Sequence, residues 1–142
     1  MLPYKFAVIR LGHIGIAVAN LADSLPRFAH LLGCDPDEVR TTEVPEEGVR
    51  IAELELGSVQ LELLEPLAAE NALGRFLRSR GAGVHHLCFE VDDIHATWER
   101  LKSAGLDLLS SKVKSVRDYQ YFFVHPRSAG GVLTEFKQGK GE

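Results

Sequence analysis

The stretch LGHIGIAVANLADSL, residues 11–25, returns in altered form as VHHLCFEVDDIHATW, residues 84–98. A shift of 73 positions sets His13 on His86, Ile14 on Leu87, Val18 on Val91 and Leu21 on Ile94. The same shift carries GSVQLEL (57–63) onto GGVLTEF (130–136), pairing Gly57 with Gly130, Val59 with Val132 and Glu62 with Glu135. His13 to Glu62 is 49 residues, and so is His86 to Glu135. One coincident residue is cheap. A His and a Glu kept at one offset, amid matching apolar positions, mark a duplicated supersecondary unit.

Each copy reads as strand, helix, then three strands. Residues 11–18 alternate, with Ile14, Ile16 and Val18 on one face and His13, Gly15 and Ala17 on the other. A helix is expected from about Ser24, with Pro26 in its first turn, to Gly33, because a start near Asn20 would leave Pro26 in the helix interior. Strands are expected near 38–45, 48–56 and 58–64, and a linking helix over 71–80. The second copy predicts a strand at 84–91, a helix from Asp92 or Asp93 to about Ala104, and strands near 107–113, 119–124 and 131–137. The expected architecture is a single α+β domain over 1–142. Its two βαβββ modules span residues 10–66 and 83–138, residues 67–82 link them, and the sheets curl into an open cleft.

Within these strands the duplicated polar residues stand opposite the apolar rows. Leu87, Phe89 and Val91 turn His86 to the other face, and Val59, Leu61 and Leu63 do the same for Glu62. Around Glu135 the pattern is weaker, its opposite row being Val132, Thr134 and Phe136. A single strand histidine is ordinarily a satisfied structural residue, and a single outward glutamate is ordinarily solvated. As a quartet tied by the repeat, His13, Glu62, His86 and Glu135 are the donors of one divalent metal site. Two imidazoles and two carboxylates suit zinc, cobalt, nickel, manganese or iron, and lack the thiolates of a closed structural zinc site. Four protein donors leave an octahedral ion two adjacent positions, enough to chelate two neighbouring substrate oxygens and stabilise an enolate. His85 points to the opposite face from His86, His30 and His95 fall on helices, and His125 in HPR lies at a strand end.

The totals set bounds. A chain of 142 residues with 45% apolar residues is one ordinary domain with a real core. A net charge of −4 argues against a nucleic-acid or bilayer surface, both of which need a basic stripe. No apolar run reaches the roughly 18 residues of a membrane span, and residues 1–10 are too short and mixed for a signal peptide. Cys34 and Cys88 make no disulfide framework; they read as a helix-end thiol and a half-buried strand thiol, both reduced in a cytoplasmic protein.

Several segments resemble the methylmalonyl-CoA epimerases of the vicinal-oxygen-chelate, glyoxalase-like superfamily. These are HIGIAVANL (13–21), VPEEGVRIAEL (44–54), QLELLEPL (60–67), FLRSRGAGVHHLCFEVDDI (76–94) and FVHPRSAGGVLTEF (123–136). HIGIAV marks only the superfamily; ELLEPL and the second His segment mark the epimerase branch. The resemblance implies metal ligands at His13, Glu62, His86 and Glu135, a bound cobalt, zinc, manganese or nickel ion, and an acyl-CoA substrate. It further implies interconversion of the 2R and 2S epimers by α-proton removal, and a homodimer. Glu135 is then the first proton-handling group. Where some members carry a second glutamate, this chain has Ile51, and Glu53, two residues on along the same strand face, is the substitute. The family's glycine-rich loop before the FxHP segment is replaced by SVRDYQ (115–120), which bears on the choice of thioester; Arg117 and Arg127 are candidates to meet an acyl-CoA anion.

The rival enzyme is a glyoxalase I-type lyase acting on a glutathione hemithioacetal with the same fold. An extradiol dioxygenase would use only two histidines and one glutamate on iron. A non-catalytic small-molecule binder of this fold commonly lacks a complete quartet, which this chain has.

Overall fold

The computed structural model describes residues 7–139. It contains eight strands and three α-helices in the order β1 (Val8–Ala17), α1 (Leu21–Leu32), β2 (Arg40–Val44), β3 (Val49–Leu56), β4 (Val59–Pro66), α2 (Ala72–Arg80), β5 (Gly83–Val91), α3 (Ile94–Ser103), β6 (Lys114–Val116), β7 (Tyr119–Val124) and β8 (Thr134–Gly139). This is the α+β plan of paired βαβββ modules that the repeat predicts. Among the described residues no helix is long and apolar enough to cross a membrane.

Packing divides the chain into two compact units, one formed by residues 14–85 and the other by residues 7–13 with 86–139. In the first, strand order is β2-β3-β4-β1, with β3 and β4 antiparallel and Glu53 opposite Glu62. Its core is Val18, Leu21, Ala52, Leu54 and Leu63, with Leu25 and Phe28 of α1 packed against it. In the second, the order is β1-β5-β8-β7-β6. β5 runs parallel to β8, and β8 antiparallel to β7. Val91, Ile94, Trp98, Leu101, Phe122, Val124 and Phe136 fill that core, where the Trp98 and Phe122 rings meet edge to face at 5.1 Å.

The helix starts show how local chemistry places the elements. α1 begins at Leu21, not near Ser24, so Pro26 does lie inside it. Two devices hold the earlier start against that cost: the Asn20 side chain accepts the Ala22 amide at 2.8 Å, and Glu65 of β4 accepts the Leu21 amide at 2.8 Å. In α3, Asp93 caps the Ala96 amide at 3.0 Å and Gln138 of β8 accepts the Ile94 amide at 2.7 Å. α2 is capped by Asn71, which accepts from the Gly74 amide and donates to the Gly48 carbonyl at 2.8 Å. Gly74 is needed there, since a β-carbon on it would stand 2.2 Å from the Ala69 carbonyl oxygen.

The strand expected at 107–113 does not form. Leu108 makes only an isolated bridge to Val124, and Ser110 turns the chain by bonding the Lys112 carbonyl at 2.8 Å. The strand comes later, as β6, joined to β7 by a two-residue turn with Val116 opposite Tyr119. Arg117 occupies the left-handed region at φ 54° in that turn, a conformation glycine adopts at lower cost. Similarly, β8 starts at Thr134 and not at 131, because Gly130 (φ 66°) and Gly131 (φ 92°) bend the chain just before it.

Candidate metal centre

The site is built by period-two alternation on strands of one unit. Phe89 and Val91 of β5, Phe122 and Val124 of β7, and Phe136 of β8 face the α3 core, so His86, Phe123 and Glu135 take the opposite face. His13, in the part of β1 that belongs to the same unit, joins them there. His13, His86 and Glu135 are buried, at 6%, 5% and 6% exposure.

The three side chains converge. His13 Nε2 lies 2.9 Å from His86 Nε2, and Glu135 Oε1 is 3.2 Å from His13 Nε2 and 3.2 Å from His86 Nε2. The imidazole rings meet edge to face at 5.0 Å, and Phe123 packs edge-on against His86 at 5.5 Å. Burial pushes the Glu135 carboxyl upward, but the hydrogen bonds and charge of His13 and His86 outweigh it and bring the value down to about 2. Glu135 is therefore an anion at neutral pH.

These donors fit a divalent ion. An octahedral ion with bonds of about 2.1 Å sets neighbouring donors about 3 Å apart, and the triangle has edges of 2.9, 3.2 and 3.2 Å. Two neutral nitrogens and one carboxylate make an intermediate donor set. One further group was read from sequence as an inert, half-buried thiol. Cys88 is fully buried, and its Sγ lies within 4.8 Å of the ligand atoms of both His13 and Glu135. Its position two residues beyond His86, on the same strand face, was the available signal.

Glu62 stands on β4 in the unit of residues 14–85, in register with Glu53. Glu53 accepts a hydrogen bond from Arg40 at 2.6 Å. His85 packs on Phe76 of α2, as expected of a structural residue. His95 meets the Gln120 side chain at 3.3 Å, and His125 accepts the Arg127 amide through Nδ1 at 3.1 Å, a turn role. The Arg127 guanidinium pairs with Asp107. Cys34 is exposed and Cys88 buried, and neither is in a disulfide.

The family model described as the Glyoxalase/Bleomycin resistance protein/Dioxygenase superfamily matches residues 12–123. The chain is 36% identical over 131 residues to the mitochondrial methylmalonyl-CoA epimerase of Homo sapiens, covering 91% of this chain and 73% of the relative. The solved methylmalonyl-CoA epimerase of Mycobacterium tuberculosis superposes with a TM-score of 0.86 at 30% identity, over 99% of this chain and 94% of that one. A Streptomyces coelicolor methylmalonyl-CoA epimerase variant, solved in complex with 2-nitronate-propionyl-CoA, gives 0.85 at 30% identity, over 94% and 99%. The chain belongs to this superfamily and, within it, to the methylmalonyl-CoA epimerase family.

Proposed function

We propose that this protein interconverts the 2R and 2S epimers of methylmalonyl-CoA, moving the α-proton through carboxylates grouped around a divalent metal. The observation that carries the reading is the buried His13–His86–Glu135 triangle in a member of the epimerase family. His13, His86 and Glu135 hold the ion, and Glu62 is the fourth donor, a role supported by the 73-residue offset that pairs it with Glu135. A bound divalent ion, of cobalt, zinc, manganese or nickel type, supplies Lewis-acid stabilisation for the negative charge that develops on the thioester oxygen.

The chain's own groups do the rest. Glu135 Oε1 faces the two imidazoles, and the second carboxylate oxygen takes the α-proton on one side of the planar carbon. The carboxylate is ionised at neutral pH, so this oxygen is free of a proton and open to accept one. Glu53 returns a proton on the other side; its side chain is 18% exposed and held by Arg40. Burial of the triangle keeps bulk water from the reacting carbon, which strengthens each electrostatic contact. The chain works as a single domain of two βαβββ modules, 10–66 and 83–138, joined by residues 67–82. It acts as a homodimer in the cytoplasm, a placement that fits two cysteines outside any disulfide.

The test is proton NMR of methylmalonyl-CoA in D2O with metal-reconstituted protein, chelator-treated protein and Glu135→Gln protein. Metal-dependent loss of the α-proton signal, absent in the variant, supports the reading. No exchange above buffer background in protein shown to contain metal overturns it, and directs attention to a hemithioacetal substrate or to simple binding.

A further inference from the structure

Cys88 leaves the same face of β5 as His86, since two residues separate them. Strand register sets it beside Glu135 of β8. The thiol also approaches the Phe89 carbonyl oxygen at 4.0 Å. The cluster of Cys88 Sγ with the ligand atoms of His13 and Glu135 brings one soft donor to a centre whose other donors are harder.

We propose that Cys88 gives this centre a second way of holding an ion. A thiophilic divalent cation, zinc or cadmium, is taken by His13, Cys88 and Glu135, whereas a hard ion such as manganese uses imidazole and carboxylate alone. The inference rests on the reading of the triangle as a metal centre. Zinc bonds of about 2.3 Å to sulfur and about 2.1 Å to nitrogen or oxygen place the sulfur about 3.5 Å from its fellow donors in a tetrahedron. The 4.8 Å envelope of the cluster therefore has to close by little more than about 1 Å, within reach of a side-chain rotation. Coordination displaces the thiol proton to solvent. An ion drawn onto sulfur is tetrahedral, so Cys88 sorts metals into an open mode and a more closed one.

The test uses the Cys34→Ser protein, in which Cys88 is the remaining thiol of the two. It is titrated with cadmium alone and with manganese alone. Affinities are read by equilibrium dialysis, and sulfur coordination by the near-ultraviolet sulfur-to-cadmium charge-transfer band. The expected result is a stoichiometric band in Cys34→Ser protein. Adding Cys88→Ser abolishes the band and weakens cadmium at least about tenfold, with manganese affinity kept within about twofold. Cadmium binding without the band, or equal losses for both ions, overturns the proposal and leaves the metal centre standing. Failure of both ions to bind overturns both. The band in protein with Cys88 intact decides the matter even where the double variant folds poorly, and Cys88→Ala serves as a second replacement.

Discussion

The Gln138 side-chain oxygen accepts the Ile94 amide at 2.7 Å, and 73 positions earlier the Glu65 carboxylate accepts the Leu21 amide at 2.8 Å. Each unit thus pins the first turn of its helix from a strand 44 residues downstream. The bond satisfies an amide that has no partner within the helix. Gln138→Leu is expected to lower stability by about 1 kcal/mol, with Gln138→Glu close to neutral. Glu65→Ala is expected to cost about 1–2 kcal/mol, because it also removes one of the two carboxylates that Arg50 bonds, leaving Glu43. Urea denaturation of the three variants checks the ranking, and a Gln138→Leu protein as stable as the parent refutes the cap.

Glu135→Gln keeps the shape of the buried trio and removes its charge. Exchange of the α-proton is expected to fall about a hundredfold or more, and metal affinity to fall with it, while far-UV circular dichroism stays unchanged. Glu53→Gln behaves differently if the two carboxylates serve opposite sides of the reacting carbon. Wash-in of deuterium then persists from one epimer and is lost from the other, as single-epimer NMR would reveal.

Acid sensitivity follows from the same carboxylate. In metal-free protein the folded value of Glu135 lies below the ordinary one, at about 2 against 4.5. The stabilisation, on the order of 3 kcal/mol, is whole above about pH 5 and drains away as pH falls towards about 2. Denaturation of parent and Glu135→Gln proteins between about pH 6 and about pH 3 should show a steeper acid loss in the parent. Parallel curves would show that the His–Glu contacts contribute nothing to folding.

Gly74→Ala tests a close backbone approach. The added carbon meets the Ala69 carbonyl oxygen at 2.2 Å and the Ala68 carbonyl oxygen at 3.0 Å. Neither is a flexible side-chain end, so α2 has to shift, at a cost of about 2–4 kcal/mol despite alanine's better helix propensity. A thermal midpoint equal to the parent's would refute the clash.

Much of this was legible because the repeat ties distant positions together. One offset accounts for the helices' common plan and grouped His13, Glu62, His86 and Glu135, of which His13, His86 and Glu135 meet within one unit. Where it failed, a local rule was overridden by a distant partner. Pro26 argued for a late α1, and nothing within the helix signalled that Glu65, on β4, would anchor the earlier start. The stretch 107–113 was expected to be a strand, but Ser110 and Ser111 turn the chain before pairing can extend. Cys88 was passed over as inert because its neighbours in space, Glu135 and His13, lie 47 and 75 residues away.

The first strand is divided between the two compact units, with His13 belonging to the one that holds His86 and Glu135. His13 comes from the first copy of the repeat and His86 and Glu135 from the second, so neither copy alone supplies the whole triangle. A gene cut at α2 into separately expressed halves would accordingly recover the centre only when both fragments are mixed, with neither able to bind the ion alone.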